Sequence, residues 1–395
     1  MEANRGSVRR HRARLGTSVV GAAFLAAVLA ACSSSGGGAS AAGGTPSGSA
    51  GAGGSAAQQV AAAQAAVRAA QVVPSKLDGR TPLNTTPPTG KTVVFMQCEL
   101  EQCHQFELGV AQAVKVVGWN IKTINYKSSD NGSIVTAFSQ ALQYKPAAVM
   151  FLTGLGQLPS IEPEYEKAGV RLIDIAGLPQ KPDSNVSVLL SGDYISAGSR
   201  ALASWFIADS QAKGKALVVN VPYFGILDTA AKALRSTIAS NCSGCSSSEV
   251  DITPSELQNN STVATVVSAV RKDSGINYVL ATDGTLVPGL RQALKTAGVS
   301  SSVKVGAVGL SAENVSELKQ GNEQAGVETP DFMASWSALD TALRAVEGMP
   351  VPAEDDNGLP YLLITSDNLD QVDANGAANY PTDYQDLFKS LWKVQ

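Results

Sequence analysis

The chain has 395 residues, with 30 Lys and Arg against 34 Asp and Glu, 44% hydrophobic residues and two His. Removing residues 1–31 as an export segment takes away His11, Arg5, Arg9, Arg10, Arg12, Arg14 and Glu2. That leaves 25 basic against 33 acidic side chains, a net charge of −8. So acidic a chain argues against a nucleic-acid partner. With His104 alone remaining, most histidine-dependent metal and triad chemistry is excluded. Roughly 364 residues exceed one ordinary core, so two domains are expected.

Residues 9–14 form a basic n-region, and residues 15–31 are apolar and small, the pattern of a secretory signal. An apolar run of about 17 residues stands at the lower limit for a membrane span. Its end, Leu29-Ala30-Ala31-Cys32, resembles the lipobox of bacterial lipoproteins. That resemblance implies cleavage before Cys32 and a lipidated Cys32 at the mature N-terminus, with more than one acyl chain needed for stable anchoring. The other reading is an uncleaved anchor with a chance Cys, and either places the bulk of the chain outside the cytoplasm. The Arg9-Arg10 pair raises twin-arginine export, but the residues after it do not complete that motif.

Residues 32–55 are almost entirely Ser, Gly, Ala and Thr, a composition that cannot bury enough surface to fold and reads as a flexible tether. Residues 56–73 are Ala-rich without a breaker, which predicts a helix ended by Pro74. Pro82, Pro87 and Pro88 mark an irregular connector up to residue 90.

From Lys91 onward, short runs rich in Val and Ile alternate with amphipathic stretches, the pattern of parallel sheets with crossover helices, and the fold class is α/β. Strands are predicted at 92–97, 121–126, 148–153, 171–176 and 186–190, with three intervening helices. After Asp193 the rhythm restarts. Helices at 197–211, 229–240, 262–272, 288–297 and 313–320 alternate with strands at 216–221, 248–252, 277–282, 303–308 and 324–328. A long helix at 332–347, a Pro-rich turn at 350–352 and a strand at 361–365 follow. Ligands of open sheets bind outside the carboxyl ends of the strands, so two such lobes facing each other form a cleft.

Several segments in a fixed order carry a resemblance. They are Phe106-x-x-Gly109 with Gly118-Trp119, Tyr144-Lys145-Pro146-Ala147-Ala148-Val149, Lys167-Ala168-Gly169-Val170, Leu280-Ala281-Thr282-Asp283-Gly284, and Pro330 after the tenth strand. Over residues 91–368 the chain resembles the type I solute-binding proteins of bacterial ABC importers, in the group of ribose-binding proteins. The closing stretch, residues 383–392, resembles the tail of actinobacterial members. The resemblance implies two Rossmann-like three-layer lobes joined by a hinge of three crossings, near Asp193, Thr329 and residues 350–360. The lobes are then 91–193 plus 330–349 and 194–329 plus 350–368, with residues 369–395 a tail bearing a short helix.

Four cysteines remain in an oxidising location, and proximity pairs Cys98 with Cys103 and Cys242 with Cys245. Pairing across the two sets would tie the lobes together and oppose closure, which the family reading argues against. Zinc is disfavoured because the two pairs fall on separate lobes. A redox role for Cys242-Ser243-Gly244-Cys245 is disfavoured because the pair follows a helix end instead of preceding a helix start. Neither a metal nor a cofactor is expected.

The bridge between Cys98 and Cys103 would rigidify the loop that lines the cleft in the family. Gln102 lies where sugar-binding relatives often place an aromatic ring, and the Asp-Arg pair expected after the fourth strand is replaced by Ala176-Gly177. The polar residues expected to meet ligand are Glu99, Gln102, Thr153, Gln157, Thr282, Asp283 and Glu328, with Tyr223 and Phe224 as stacking surface. Asp283 also suits a helix cap, and His104 and Trp336 suit ordinary surface and core places. Gly154-Leu155-Gly156 invites a dinucleotide reading, but Pro159 stands where the third Gly belongs.

No G-x-S-x-G elbow occurs, and the chain is read as a non-enzyme. The expectation is a monomeric lipoprotein on the outer face of the cytoplasmic membrane, binding a small polar ligand such as a sugar and delivering it to ABC permease subunits. The alternatives are a receptor that reports to a membrane sensor and a carboxylate-dependent glycosidase.

Overall fold

The computed structural model describes residues 54–73, 80–99, 101–128, 130–152, 159–178, 181, 184–299, 302–351, 359–378, 380 and 383–395. All of them belong to one unit, Ser49–Gln395. The export signal, Cys32 and most of the tether lie outside the described residues, as do Thr153 and Gln157.

The first sheet has the order β2-β1-β3-β4-β5, all parallel, from Thr92–Gln97 (β1), Asn120–Asn125 (β2), Ala148–Phe151 (β3), Arg171–Asp174 (β4) and Val186–Val188 (β5). Its helices are Glu101–Val116 (α2), Asn131–Gln143 (α3) and Ile161–Ala168 (α4). β1 is buried on both faces, as a central parallel strand must be. Val93 and Phe95 face one apolar core, and Val94 and Met96 face another, the two-residue alternation of a strand.

The second sheet has the order β11-β10-β9-β8-β6-β7. It is built from Lys215–Asn220 (β6), Ser246–Asp251 (β7), Tyr278–Ala281 (β8), Lys304–Val308 (β9), Ala325–Glu328 (β10) and Leu362–Thr365 (β11). Only the β10–β11 pair is antiparallel. Ala216 and Val218 of β6 again face one core while Leu217 and Val219 face another. Both sheets are therefore covered on two sides, which gives each lobe three layers.

The chain passes between the sheets three times. Gly192–Asp209 (α5) leads from β5 into the second sheet. Asp331–Val346 (α11) follows β10 yet packs on α2 and β4 of the first lobe. The chain then returns to pair β11 with β10. α5 begins five residues before its expected start because Ser191 caps it, its hydroxyl accepting from the Tyr194 amide. The first crossing thus lies inside a helical turn.

The N-terminal helix Ala56–Ala70 (α1) docks against α5. Its buried Gln59 pairs with Ser243, donating to Oγ at 3.1 Å and accepting from the Ser243 amide at 3.2 Å. At its far end Gln71 donates to Thr365 Oγ1 at 3.1 Å. The N-terminal helix therefore docks on the second lobe.

Gly225–Asn241 (α6), Pro254–Gln258 (α7), Thr262–Lys272 (α8), Leu290–Thr296 (α9) and Ala312–Lys319 (α10) complete that lobe, and Tyr384–Trp392 (α12) closes the chain. The sequence reading lacks α7, although Thr253 and Glu256 cap each other reciprocally with Pro254 at the first helical position. Among the described residues no helix is long and apolar enough to cross a membrane.

Candidate functional site

A cavity of about 670 Å3, counting its open mouth, lies where the carboxyl ends of the two sheets meet. β1 supplies Cys98, and the segments after β3, β4 and β5 supply Leu152, Ala176 and Leu190. Across the cavity, β8 leads into Thr282 and Asp283, β9 ends in Val308 and Gly309, and β10 leads into Thr329. This is the crevice an open α/β sheet offers to a ligand, made twice and turned face to face.

Both cysteine pairs are disulfides, Cys98–Cys103 and Cys242–Cys245. The first lines the cavity through both of its residues and encloses Gln102, whose place is fixed by the covalent loop and by α2. The second closes the turn after α6, where Ser243 meets α1.

Of the residues expected to meet ligand, Gln102, Phe224, Thr282 and Asp283 line the cavity. Tyr223 stands beside it, in edge contact with Phe224 at 5.4 Å between ring centres, and its hydroxyl donates to Asn131 Oδ1 of the first lobe at 3.4 Å. Burial, with Glu99 and Asp130 nearby, pushes the Tyr223 hydroxyl above its ordinary value. Glu99 is engaged elsewhere, accepting from the Ser128 amide at 3.0 Å. Glu328 is not among the described residues that line the cavity. Its carboxylate accepts from the Tyr380 hydroxyl and from the Ala378 amide at 3.2 Å, which ties the C-terminal segment to the end of β10.

Asp331 was missed by sequence reasoning. It is the first residue of α11, immediately after Pro330, and it organises the polar end of the cavity. Thr329 Oγ1 donates to its Oδ1 at 2.8 Å, and Gln102 Nε2 donates to its Oδ2. Burial, opposed by the Thr329 bond and reinforced by Asp283, pushes Asp331 up to about 8. Asp283 caps the turn that follows it, its Oδ1 accepting from the Thr285 amide at 2.8 Å and from Thr285 Oγ1 at 2.6 Å. Burial also raises Asp283, against those two bonds.

The two lobes touch across the mouth. Besides the Tyr223–Asn131 bond, Leu178 packs over Gly225 so closely that a Cβ there would fall 2.8 Å from Leu178 Cδ1. Gln102 Oε1 faces Gly309, which adopts a left-handed φ of 81° that a side chain would strain. These contacts hold the two lobes against each other at the mouth.

Gly284, next to Asp283, has no room for a side chain: a Cβ would lie 2.3 Å from the Gly309 carbonyl oxygen. Backbone cannot yield as a flexible side chain does. Gly284→Ala is expected to cost about 1–3 kcal/mol in chemical denaturation by displacing the two loops. Unchanged stability would mean that the loops separate without cost.

No protein-family model matches the chain, and no curated protein matches it. Solved structures do. The 5-methylthioribose transporter solute-binding protein of Thermotoga lettingae, in complex with 5-methylthioribose, is similar at 18% identity and a TM-score of 0.64, over 80% of this chain and 99% of that one. An ABC transporter periplasmic solute-binding protein of Actinobacillus succinogenes with bound D-allose is similar at 13% identity and a TM-score of 0.63, over 72% and 100%. A carbohydrate transporter solute-binding protein of Agrobacterium radiobacter in complex with D-arabinose follows at 18% and 0.59, over 71% and 96%. Two parallel α/β lobes, three crossings and a cavity at facing strand ends give this chain the fold of the type I solute-binding proteins.

Proposed function

We propose that the protein is the extracytoplasmic substrate-binding component of an ABC importer, holding one small ligand between its lobes and presenting the closed form to permease subunits. The observation that carries this reading is the cavity walled by both lobes, with lobe-to-lobe contacts at its mouth. A ligand that touches both walls has differential affinity for the closed arrangement, and that difference shifts the open–closed equilibrium.

In this reading residues 91–193 plus 330–349 and 194–329 plus 350–368 are the moving bodies, residues 1–31 the signal and 32–55 the tether. Lipidated Cys32 holds a monomer at the outer face of the membrane. Gln102, Phe224, Thr282 and Asp283 contact ligand directly, and Tyr223 closes over it.

Small-angle scattering of the mature chain tests the mechanism. Saturating ligand, found by a thermal-shift screen of carbon sources, is expected to reduce the radius of gyration, because binding to the native form both stabilises and compacts it. A radius that stays constant at saturation defeats the hinge mechanism.

A further inference from the structure

Among the described residues that line the cavity the chemistry is one-sided: eleven of sixteen are apolar, among them Phe106, Leu152, Ile195, Phe224 and Leu227. The polar ones, Gln102, Thr282, Asp283 and Thr329, form one contiguous patch through Gly309, Gly284 and Asp331. A polyol presents hydroxyls around its whole edge, and those turned to the apolar side would be buried without partners, which is costly.

Three hydrogen-bond acceptors on that patch are open among the described residues. Thr282 Oγ1, in a residue only 1% exposed, has no partner. Asp283 engages Thr285 through Oδ1 only, which leaves Oδ2. Gln102 donates through Nε2 to Asp331, which orients its Oε1 toward Gly309 and the cavity. Asp331 adds a second carboxylate just behind, and Glu328 a third beyond it. No Lys, Arg or His lines the cavity among the described residues, and no ion pair reaches these three acids.

Resting on the receptor reading above, we propose that the ligand is a primary amine with an apolar body, its ammonium seated on Thr282, Asp283 and Gln102. An ammonium has three donors and no acceptor, which matches three open acceptors on one patch. The apolar body lies against Phe224 and the aliphatic wall.

The test uses the mature full-length chain and matched pairs in calorimetry and thermal shift: 2-phenylethylamine with 2-phenylethanol, isopentylamine with isopentanol, and cyclohexylamine with cyclohexanol. D-arabinose, D-allose and 5-methylthioribose are run beside them. At least one amine is expected to raise the melting midpoint while its alcohol does not. Asp283→Asn, which keeps the Oδ1 acceptor for Thr285, is expected to weaken that amine about thirtyfold or more. Thr282→Val, nearly isosteric, is expected to weaken it as well with unchanged circular dichroism. An alcohol or sugar that binds as well as every amine overturns the inference, and so does the failure of all the amines. A sugar that binds and compacts the chain while no amine does so overturns the inference and leaves the receptor reading standing. An amine that binds without compaction overturns the hinge reading and keeps the ligand class.

Discussion

Asp340→Ala is expected to lower the stability of the folded body by about 3–5 kcal/mol, because it strips the shared anion from two buried arginines. Asp340 is fully buried in the middle of α11. Its Oδ2 accepts from Arg80 of the connector and, at 2.7 Å, from Arg344 Nε, while Oδ1 accepts from Trp392 Nε1 at 2.8 Å. Trp392 stacks on Trp336 of α11 at 5.3 Å between ring centres, with an interplanar angle of 11°. Arg344 also donates to the Thr81 carbonyl at 2.6 Å, and the Leu83 amide donates to the Leu391 carbonyl. One carboxylate therefore joins the segment before β1, the returning helix and the C-terminal helix.

Without it, Arg80 and Arg344, both under a tenth exposed, lose their ion pair with Asp340, and the Trp392 N–H loses its acceptor. Denaturant midpoints of wild type, Asp340→Ala and Asp340→Asn measure the effect. The amide variant is expected to fall between the other two, because it keeps the shape and one acceptor but not the charge. A loss under about 1 kcal/mol for Asp340→Ala would show that packing of the two tryptophans, and not the ionic clasp, secures the C-terminal helix.

The clasp also marks what the sequence could and could not disclose. The strands were legible because a parallel strand buried on both faces must be a continuous apolar run, as Val93 to Met96 is. Trp336 at helical spacing was legible as core for the same reason. The partner of Trp336 was not, since Trp392 lies far along the chain and its own helix reads only as amphipathic. Arg80, Asp340 and Arg344 look like ordinary solvated charges in sequence, and only the packing of α11 brings them together. At the site, Gln102, Thr282 and Asp283 were legible because they follow strand ends, where the topology opens a crevice. Asp331 escaped because it looks like a helix-start acid after Pro330, a common and bland arrangement. Glu328 was placed correctly at the end of β10, but its direction depends on Tyr380, which nothing local to β10 predicts. The capping box of α7 was readable, yet five residues without an apolar stripe give periodicity nothing to detect.

Stability is expected to fall as pH rises from about 5 to about 8, opposite to the behaviour of a protein held by paired carboxylates. Asp174, Glu323, Glu328 and Asp331 are each pushed up to about 8, burial being the largest cause in every case. Unfolded, the same groups return to their ordinary values near 4. Between those limits the folded chain holds protons that the unfolded chain releases, so each pH unit gained in the window lowers stability by about 1 kcal/mol per fully titrating group. Below the window the groups are neutral in both states and the penalty vanishes. Above about pH 8 it is complete.

The four groups differ in what surrounds them. Glu328 is supported by the Tyr380 hydroxyl and the Ala378 amide but faces Asp331 and Asp373, and Asp331 faces Asp283, so the hinge acids titrate as a coupled set. Glu323 accepts from Asn314 Nδ2 at 3.1 Å, with Glu317 as its repelling neighbour. Asp174 has the least support. It is fully buried at the end of β4 and neither oxygen completes a hydrogen bond, although the Ala176 amide lies near enough to favour the ionised form. Gly177 is packed against the carboxylate, with no room for a Cβ.

Asp174→Asn is therefore expected to flatten the pH dependence more than a substitution of any one hinge acid. The variant still buries an unpaired polar group, at about 1–3 kcal/mol, so it is expected to be no more stable than wild type at pH 5 and more stable at pH 8. Denaturation midpoints of the two proteins at half-unit pH steps measure the crossing. Parallel curves would mean that Asp174 already carries its charge at neutral pH, and a wild-type midpoint that does not move between pH 5 and 8 would mean that water reaches all four acids in the folded state.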